Sequence, residues 1–175
     1  LQDWNVSAKT INERITAKTK AVIIVHYGGV SCDMDEILAI CKSKNIPLIE
    51  DVAHAPGATY KGIKCGNFGD LSAFSFFTNK NLSVGEGGMV IAKDESVNAK
   101  IKFLRSHGMS TLTLDRHKGR AITYDVLQPG LNYRMDEMRA ALGLVQLDKL
   151  EEANDYRKKI TAYYHELLKD IKQIQ

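Results

Sequence analysis

No apolar run in this sequence approaches the ~18 to 20 residues needed to cross a bilayer, so no membrane partner is expected. The start, Leu1-Gln2-Asp3-Trp4, lacks the basic-then-apolar layout of a signal peptide, and it also lacks an initiator methionine. The sequence is therefore read as a piece of a longer chain. Cysteine is scarce: Cys32, Cys41 and Cys65 are odd in number and lack the close paired spacing of zinc sites or redox dithiols. They read as reduced, buried thiols of a cytoplasmic protein. Charge of one sign is not in excess either. A formal net charge of +3, with basic residues scattered along the chain, gives no reason to expect nucleic-acid binding. Internal repeats and low-complexity tracts are missing as well.

What is there suits one ordinary globular domain: 175 residues, 44% hydrophobic and 26% charged. The β-branched run from Lys20 to His26 suits a strand buried on both faces, and Tyr27-Gly28-Gly29 breaks it. From Asp33, residues Ile37, Leu38, Ile40 and Cys41 recur at helical spacing, with Asp35 and Glu36 near the start where the helix dipole favours negative charge. That helix is expected to end around Asn45. Pro47 to Val52 reads as the next strand, giving a βαβ unit and hence parallel strands. A loop rich in glycine follows, then strands at Leu71 to Phe77 and Gly88 to Ala92, and a helix over Ser96 to Ser106. Residues 107 to 131 carry Arg116-His117-Lys118-Gly119-Arg120, read as an exposed loop rather than a domain boundary. From Met135 onward the apolar residues Met138, Leu142, Val145 and Leu150, then Ile160, Tyr164 and Leu168, mark a long helix that bridges to something further on.

In open parallel sheets ligands gather at the carboxyl ends of strands. Asp51 closes the Pro47 to Val52 strand, and Lys80 follows the Leu71 to Phe77 strand, with Gly85-Glu86-Gly87-Gly88 after it. An amine on a short loop between apolar segments, with glycines where a ligand could approach the backbone, is how a protein presents an imine-forming lysine. A carboxylate and an amine are also the pair that pyridoxal phosphate needs, one for the pyridine nitrogen and one for the aldehyde.

Glu50-Asp51-Val52-Ala53-His54-Ala55, Phe74-Ser75-Phe76-Phe77-Thr78-Asn79-Lys80-Asn81-Leu82, Gly85-Glu86-Gly87-Gly88 and Gly130-Leu131-Asn132-Tyr133-Arg134-Met135 with Ala140-Ala141-Leu142-Gly143 resemble, in order and spacing, the DegT-like pyridoxal-phosphate sugar aminotransferases. The resemblance runs from about Lys18 to the end of the long helix. It implies an α/β fold: part of a type I aminotransferase large domain, with a mixed, mainly parallel sheet flanked by helices. It also implies transfer of an amino group, commonly from glutamate, to a keto group on a nucleotide-linked sugar, by a homodimer. Position by position, the resemblance makes Lys80 the imine lysine, Asp51 the partner of the pyridine nitrogen and Ser75 a phosphate ligand. His54 would stand beside the cofactor ring, and Asn132 would reach across a dimer interface to the cofactor phosphate. Residues 1–150 are then a partial cofactor-binding domain, and 151–175 a connecting helix toward a small C-terminal domain. Family members carry a further phosphate-binding turn and a ring-stacking aromatic before the matching part, so activity is expected of the full-length protein.

Plainer roles exist for each residue. Asp51 would serve as a turn former, His54 as a hydrogen-bonded structural histidine, Ser75 as a satisfier of a backbone group, and Asn132 as a turn or N-cap residue. His26, His107, His117 and His165 fall at no recognised metal spacing and read as structural or exposed. Alternative functions are a sugar dehydratase of the same superfamily, which replaces the imine lysine with histidine, and a non-catalytic or regulatory cofactor-binding protein on the same scaffold. A nucleotide-binding α/β module is the third, although no Gly-x-Gly-x-x-Gly or P-loop follows an expected strand.

Overall fold

The computed structural model describes residues 4–111, 117–119, 123–171 and 173. Helix α1 (Ala8–Arg14) leads to strand β1 (Val22–Val25), helix α2 (Met34–Lys44) and strand β2 (Leu48–Asp51). A small antiparallel hairpin, β3 (Thr59–Tyr60) and β4 (Ile63–Lys64), lies within the glycine-rich loop. Strands β5 (Leu71–Ser75) and β6 (Gly88–Ala92) and helices α3 (Glu95–Arg105) and α4 (Glu137–Leu168) follow. The main sheet has the order β1-β2-β5-β6; β1, β2 and β5 are parallel, and β6 runs antiparallel to β5. The Arg116 to Arg120 cluster lies outside the described residues apart from 117–119.

Short polar side chains set the helix boundaries. Ser7, Asp33, Asp94 and Asp136 each accept a hydrogen bond from a backbone N–H in the first turn of α1, α2, α3 and α4. Such a cap is worth about 1 kcal/mol, and Asn45 ends α2 in the left-handed conformation that Asn tolerates. Asp136 and not Asn132 caps α4, so the N-cap role considered for Asn132 is excluded.

The main core lies between one face of β1 and β2 and the two N-terminal helices, where Ile24 and Leu48 meet Ile11, Met34, Ile37 and Cys41. The opposite sheet face is open: Ile23 is 66% and Val25 40% exposed, so β1 is not covered on both sides as its composition suggested. Helix α4 joins through Leu150, which packs with Phe76, Leu82 and Val84, and through Asn154 Nδ2, which donates to the Pro56 carbonyl at 3.0 Å. No described helix is long and apolar enough to cross a membrane.

A buried carboxylate fastens the centre of the sheet. Glu50 is fully buried; its Oε1 accepts the N–H groups of Phe68 (2.8 Å) and Gly69 (2.6 Å), and its Oε2 accepts that of Gly66 (2.7 Å) and lies 3.0 Å from His26 Nε2. Burial by itself pushes the Glu50 carboxyl up, but the bonds from His26, Gly69, Gly66 and Phe68 outweigh it and hold the group below the usual carboxylate range. His26, equally buried, accepts the Cys32 N–H at Nδ1 (3.2 Å). Burial opposes the imidazolium and contacts to Cys32, Cys65 and Glu50 more than offset it, raising the ring above its ordinary value, yet a second ring proton would need Nδ1 free. Because Nδ1 is engaged as an acceptor, the geometry holds the neutral ring with its Nε2–H directed at Glu50. Glycine is required where the loop turns back on this acid: Gly66 has φ +96°, and a Cβ at Gly69 would sit 2.7 Å from the Leu48 carbonyl oxygen.

Replacing Glu50 by Gln leaves N–H donors facing an amide N–H and is expected to cost about 3 kcal/mol at neutral pH. Since the folded-state acidity of Glu50 is strengthened, its contribution is present above the ordinary value of 4.5 and is lost as pH falls through the lower folded value. Urea unfolding of wild type and Glu50→Gln should therefore differ most near pH 7 and converge in acid. A gap independent of pH would show that the anion is not what stabilises.

Candidate active site

The carboxyl ends of three neighbouring parallel strands form the candidate site. β1 runs into the turn Tyr27–Gly29, β2 ends on Asp51 with His54 three residues beyond, and β5 ends on Ser75. Parallel register sets Asp51 opposite Val25 on one side and Ala73 on the other. Alternation along β2 sends Leu48 and Glu50 into the core, while Ile49 and Asp51 are only partly buried.

Lys80 is carried on the loop joining β5 to β6, at the same sheet end as Asp51. Both ends of that loop are tied: Phe76 N–H donates to the Gly87 carbonyl at 2.9 Å, and Val84 N–H to the Phe76 carbonyl at 2.9 Å. The Lys80 N–H donates to the Phe77 carbonyl at 3.0 Å, making the tight turn that ends on it. The side chain is partly buried, and no hydrogen bond or ion pair engages its amine among the described residues. The adjoining glycines do something other than open the backbone to a ligand: a Cβ on Gly87 would meet Met135 Cε at 2.8 Å, and one on Gly88 the Phe74 carbonyl oxygen at 2.7 Å. They let the loop close on its own protein neighbours.

Asp51 Oδ1 accepts the Ala53 N–H at 2.9 Å, so the turn-forming role is present; Oδ2 has no partner among the described residues. His54 is exposed, and its ring meets the Tyr27 ring edge-on at 5.8 Å between centroids. Tyr27 escaped the sequence reading, which took Tyr27-Gly28-Gly29 only as a strand break. Ser75 Oγ accepts the Phe77 N–H at a long 3.4 Å. Asn132 belongs to a different segment: it pairs with Ser106 beyond α3, where Leu131 N–H bonds the Leu104 carbonyl and Arg134 Nη1 the Ser106 hydroxyl. Its own side chain is exposed.

Chemically, the strand ends assemble a carboxylate, an amine, a hydroxyl, an imidazole and a phenol ring. Among the described residues the carboxylate oxygen Oδ2 and the amine are both unengaged, a set that fits a pyridine nitrogen and an aldehyde. A hollow of about 440 Å³ lies instead on the covered side of the sheet, against Phe74, Met89, Ile91, Leu144 and Leu147. It is apolar and contains none of the candidate residues. The buried pair His26 and Glu50 was also missed by sequence reasoning. Its signal was an acid at the inward position of an alternating strand, Leu48 then Glu50.

Comparison with known proteins bears on the family and the fold. The chain is 39% identical over 165 residues to a GDP-perosamine synthase of Caulobacter vibrioides, covering 94% of this chain and 42% of that protein. It superposes on Helicobacter pylori PseC, an aminotransferase involved in the biosynthesis of pseudoaminic acid, with TM-score 0.90 and 31% identity, covering 98% of this chain and 44% of PseC. Spr1654 of Streptococcus pneumoniae in its PLP-form matches with TM-score 0.84 and 28% identity over 95% of this chain and 45% of that one. The chain thus spans less than half the length of these relatives, and its sheet and helices are the corresponding part of an aminotransferase fold. With the family model matching residues 1–175 throughout, the chain belongs to the DegT/DnrJ/EryC1/StrS aminotransferase family.

Proposed function

We propose that this chain is the cofactor-binding part of a pyridoxal-phosphate-dependent aminotransferase that delivers an amino group, from glutamate, to a nucleotide-linked keto sugar. The observation that carries this reading is the pairing of Asp51 and Lys80 at one end of adjacent parallel strands, each with a functional atom unengaged among the described residues. Family membership and relatives named for perosamine and pseudoaminic acid formation support the sugar assignment.

When bound, pyridoxal phosphate supplies a ring that accepts electrons from the carbon losing or gaining the amino group. In this reading Asp51 Oδ2 would accept a hydrogen bond from the protonated ring nitrogen. Lys80 Nζ would be the covalent attachment point, and its amine is the group that could accept a proton as a general base and return one as an acid. Ser75 Oγ would donate to the phosphate, His54 would flank the ring, and Asn132 would reach the phosphate held by the partner subunit of a homodimer. The part of α4 beyond residue 150 leads toward a further domain. Lys80 also disfavours the dehydratase alternative.

Borohydride treatment of the full-length protein loaded with pyridoxal phosphate should fix the cofactor on the peptide containing Lys80, and Lys80→Ala should lose that adduct and about 10²- to 10⁴-fold in kcat. An adduct on a different lysine would remove Lys80 from its role. For Asn132, mixing Lys80→Ala with Asn132→Ala protein should restore activity to about a quarter of wild type, because one site in each mixed dimer is then intact. No restoration from two inactive variants would mean that Asn132 acts within its own subunit, and full activity of Asn132→Ala alone would remove it from the site.

A further inference from the structure

We propose that Glu50 and His26 are positioning residues for Asp51: together they hold the end of β2 so that the Asp51 carboxylate, on the opposite face of the strand, stays directed at the ring nitrogen. The proposal rests on the reading of Asp51 given above and extends it to groups that never touch the cofactor.

The argument is one of connectivity. His26 is bonded twice to the same strand end, through its ring to the Glu50 carboxylate at 3.0 Å and through its backbone N–H to the Asp51 carbonyl at 3.2 Å. Its Nδ1 is tied to the start of the α2 segment through Cys32 N–H. Glu50, the neighbour of Asp51, is tied on its other oxygen to the loop that leads into β5. That loop is fixed further by Ser72 Oγ on the Gly66 carbonyl (2.9 Å) and by Asp70 Oδ2 accepting the Leu48 N–H (2.8 Å). The strand end is thus clamped from the β1 side and from the loop into β5, with His26, Glu50 and Ser72 fully buried on the core side. Among the described residues Asp51 has a single bond, Oδ1 to Ala53 N–H, to fix its carboxylate. A side chain held that lightly takes its direction from its backbone, and the buried pair sets that backbone. Alternation does the rest: with Glu50 locked inward, Asp51 must face the other way.

The test uses the full-length protein and two readouts. In cofactor-free protein, amide hydrogen exchange of Ala53 reports the bond to Asp51, and that of Ala55, which bonds the Val52 carbonyl, serves as the local control. Glu50→Gln should speed Ala53 exchange about tenfold and leave Ala55 unchanged; an equal rise at both, or none at Ala53, would reduce the pair to general stabilisation. In protein loaded with ring-¹⁵N pyridoxal phosphate, the ¹⁵N shift reports protonation of the ring nitrogen. Asp51→Asn should move it toward the neutral value, Glu50→Gln should move it part of the way, and the double variant should equal Asp51→Asn. Additive shifts would overturn the positioning role while leaving Asp51 in place, whereas a silent Asp51→Asn would overturn both assignments. Should Glu50→Gln fail to fold, His26→Gln, which keeps a donor toward Glu50 but loses the ring acceptor for Cys32, is expected to give the same pattern at smaller amplitude; an unchanged Ala53 there counts against the proposal.

Discussion

A carboxylate taken out of water is among the costliest things a fold can contain, and the centre of this one is organised around making that tolerable. Glu50 meets four donors, three from the backbone of a single short loop and one from a buried histidine, which matches the acceptor capacity of its two oxygens. Each of those donors would be unsatisfied without the acid. The ends of β1 and β2 and the entry to β5 therefore have one low-energy arrangement.

The same constraint decides which side of the sheet presents Asp51. A strand alternates its side chains, so a shift of one residue in β2 would put Asp51 in the core and Glu50 at the strand-end site. The acid in the loop's cradle makes that shift prohibitive. The β5 to β6 loop is treated likewise, closed at both ends by backbone bonds and packed at Gly87 and Gly88 against neighbours, so that Lys80 leaves a fixed turn. The site is carried by rigid strand ends rather than by a free loop.

Much of this was legible beforehand. Helix α2 was readable at both ends because Asp33 and Asn45 are strong local signals, and β6 was readable because Gly88 to Ala92 is a sharply bounded apolar run. Asp51 and Lys80 could be paired because strand ends and parallel topology follow from a βαβ pattern. Helix α1 and the hairpin β3–β4 were not seen, being seven residues long in the first case and two residues per strand in the second, too short for periodicity to speak. Nor could composition reveal that one face of β1 is open, since Ile23 and Val25 look alike whether or not anything covers them.

By itself the sequence determined the order of the elements, the capping of the helices and the chemical types available at the strand ends, because these depend on residues near one another in the chain. Tertiary structure alone decided that Glu50 would be satisfied by a loop some sixteen to nineteen residues away and by a histidine twenty-four residues before it. It also decided that Tyr27 would stand against His54. Those partnerships are long-range: hydrogen bonds and ring contacts depend on where three strands bring their ends, and no local pattern encodes that meeting.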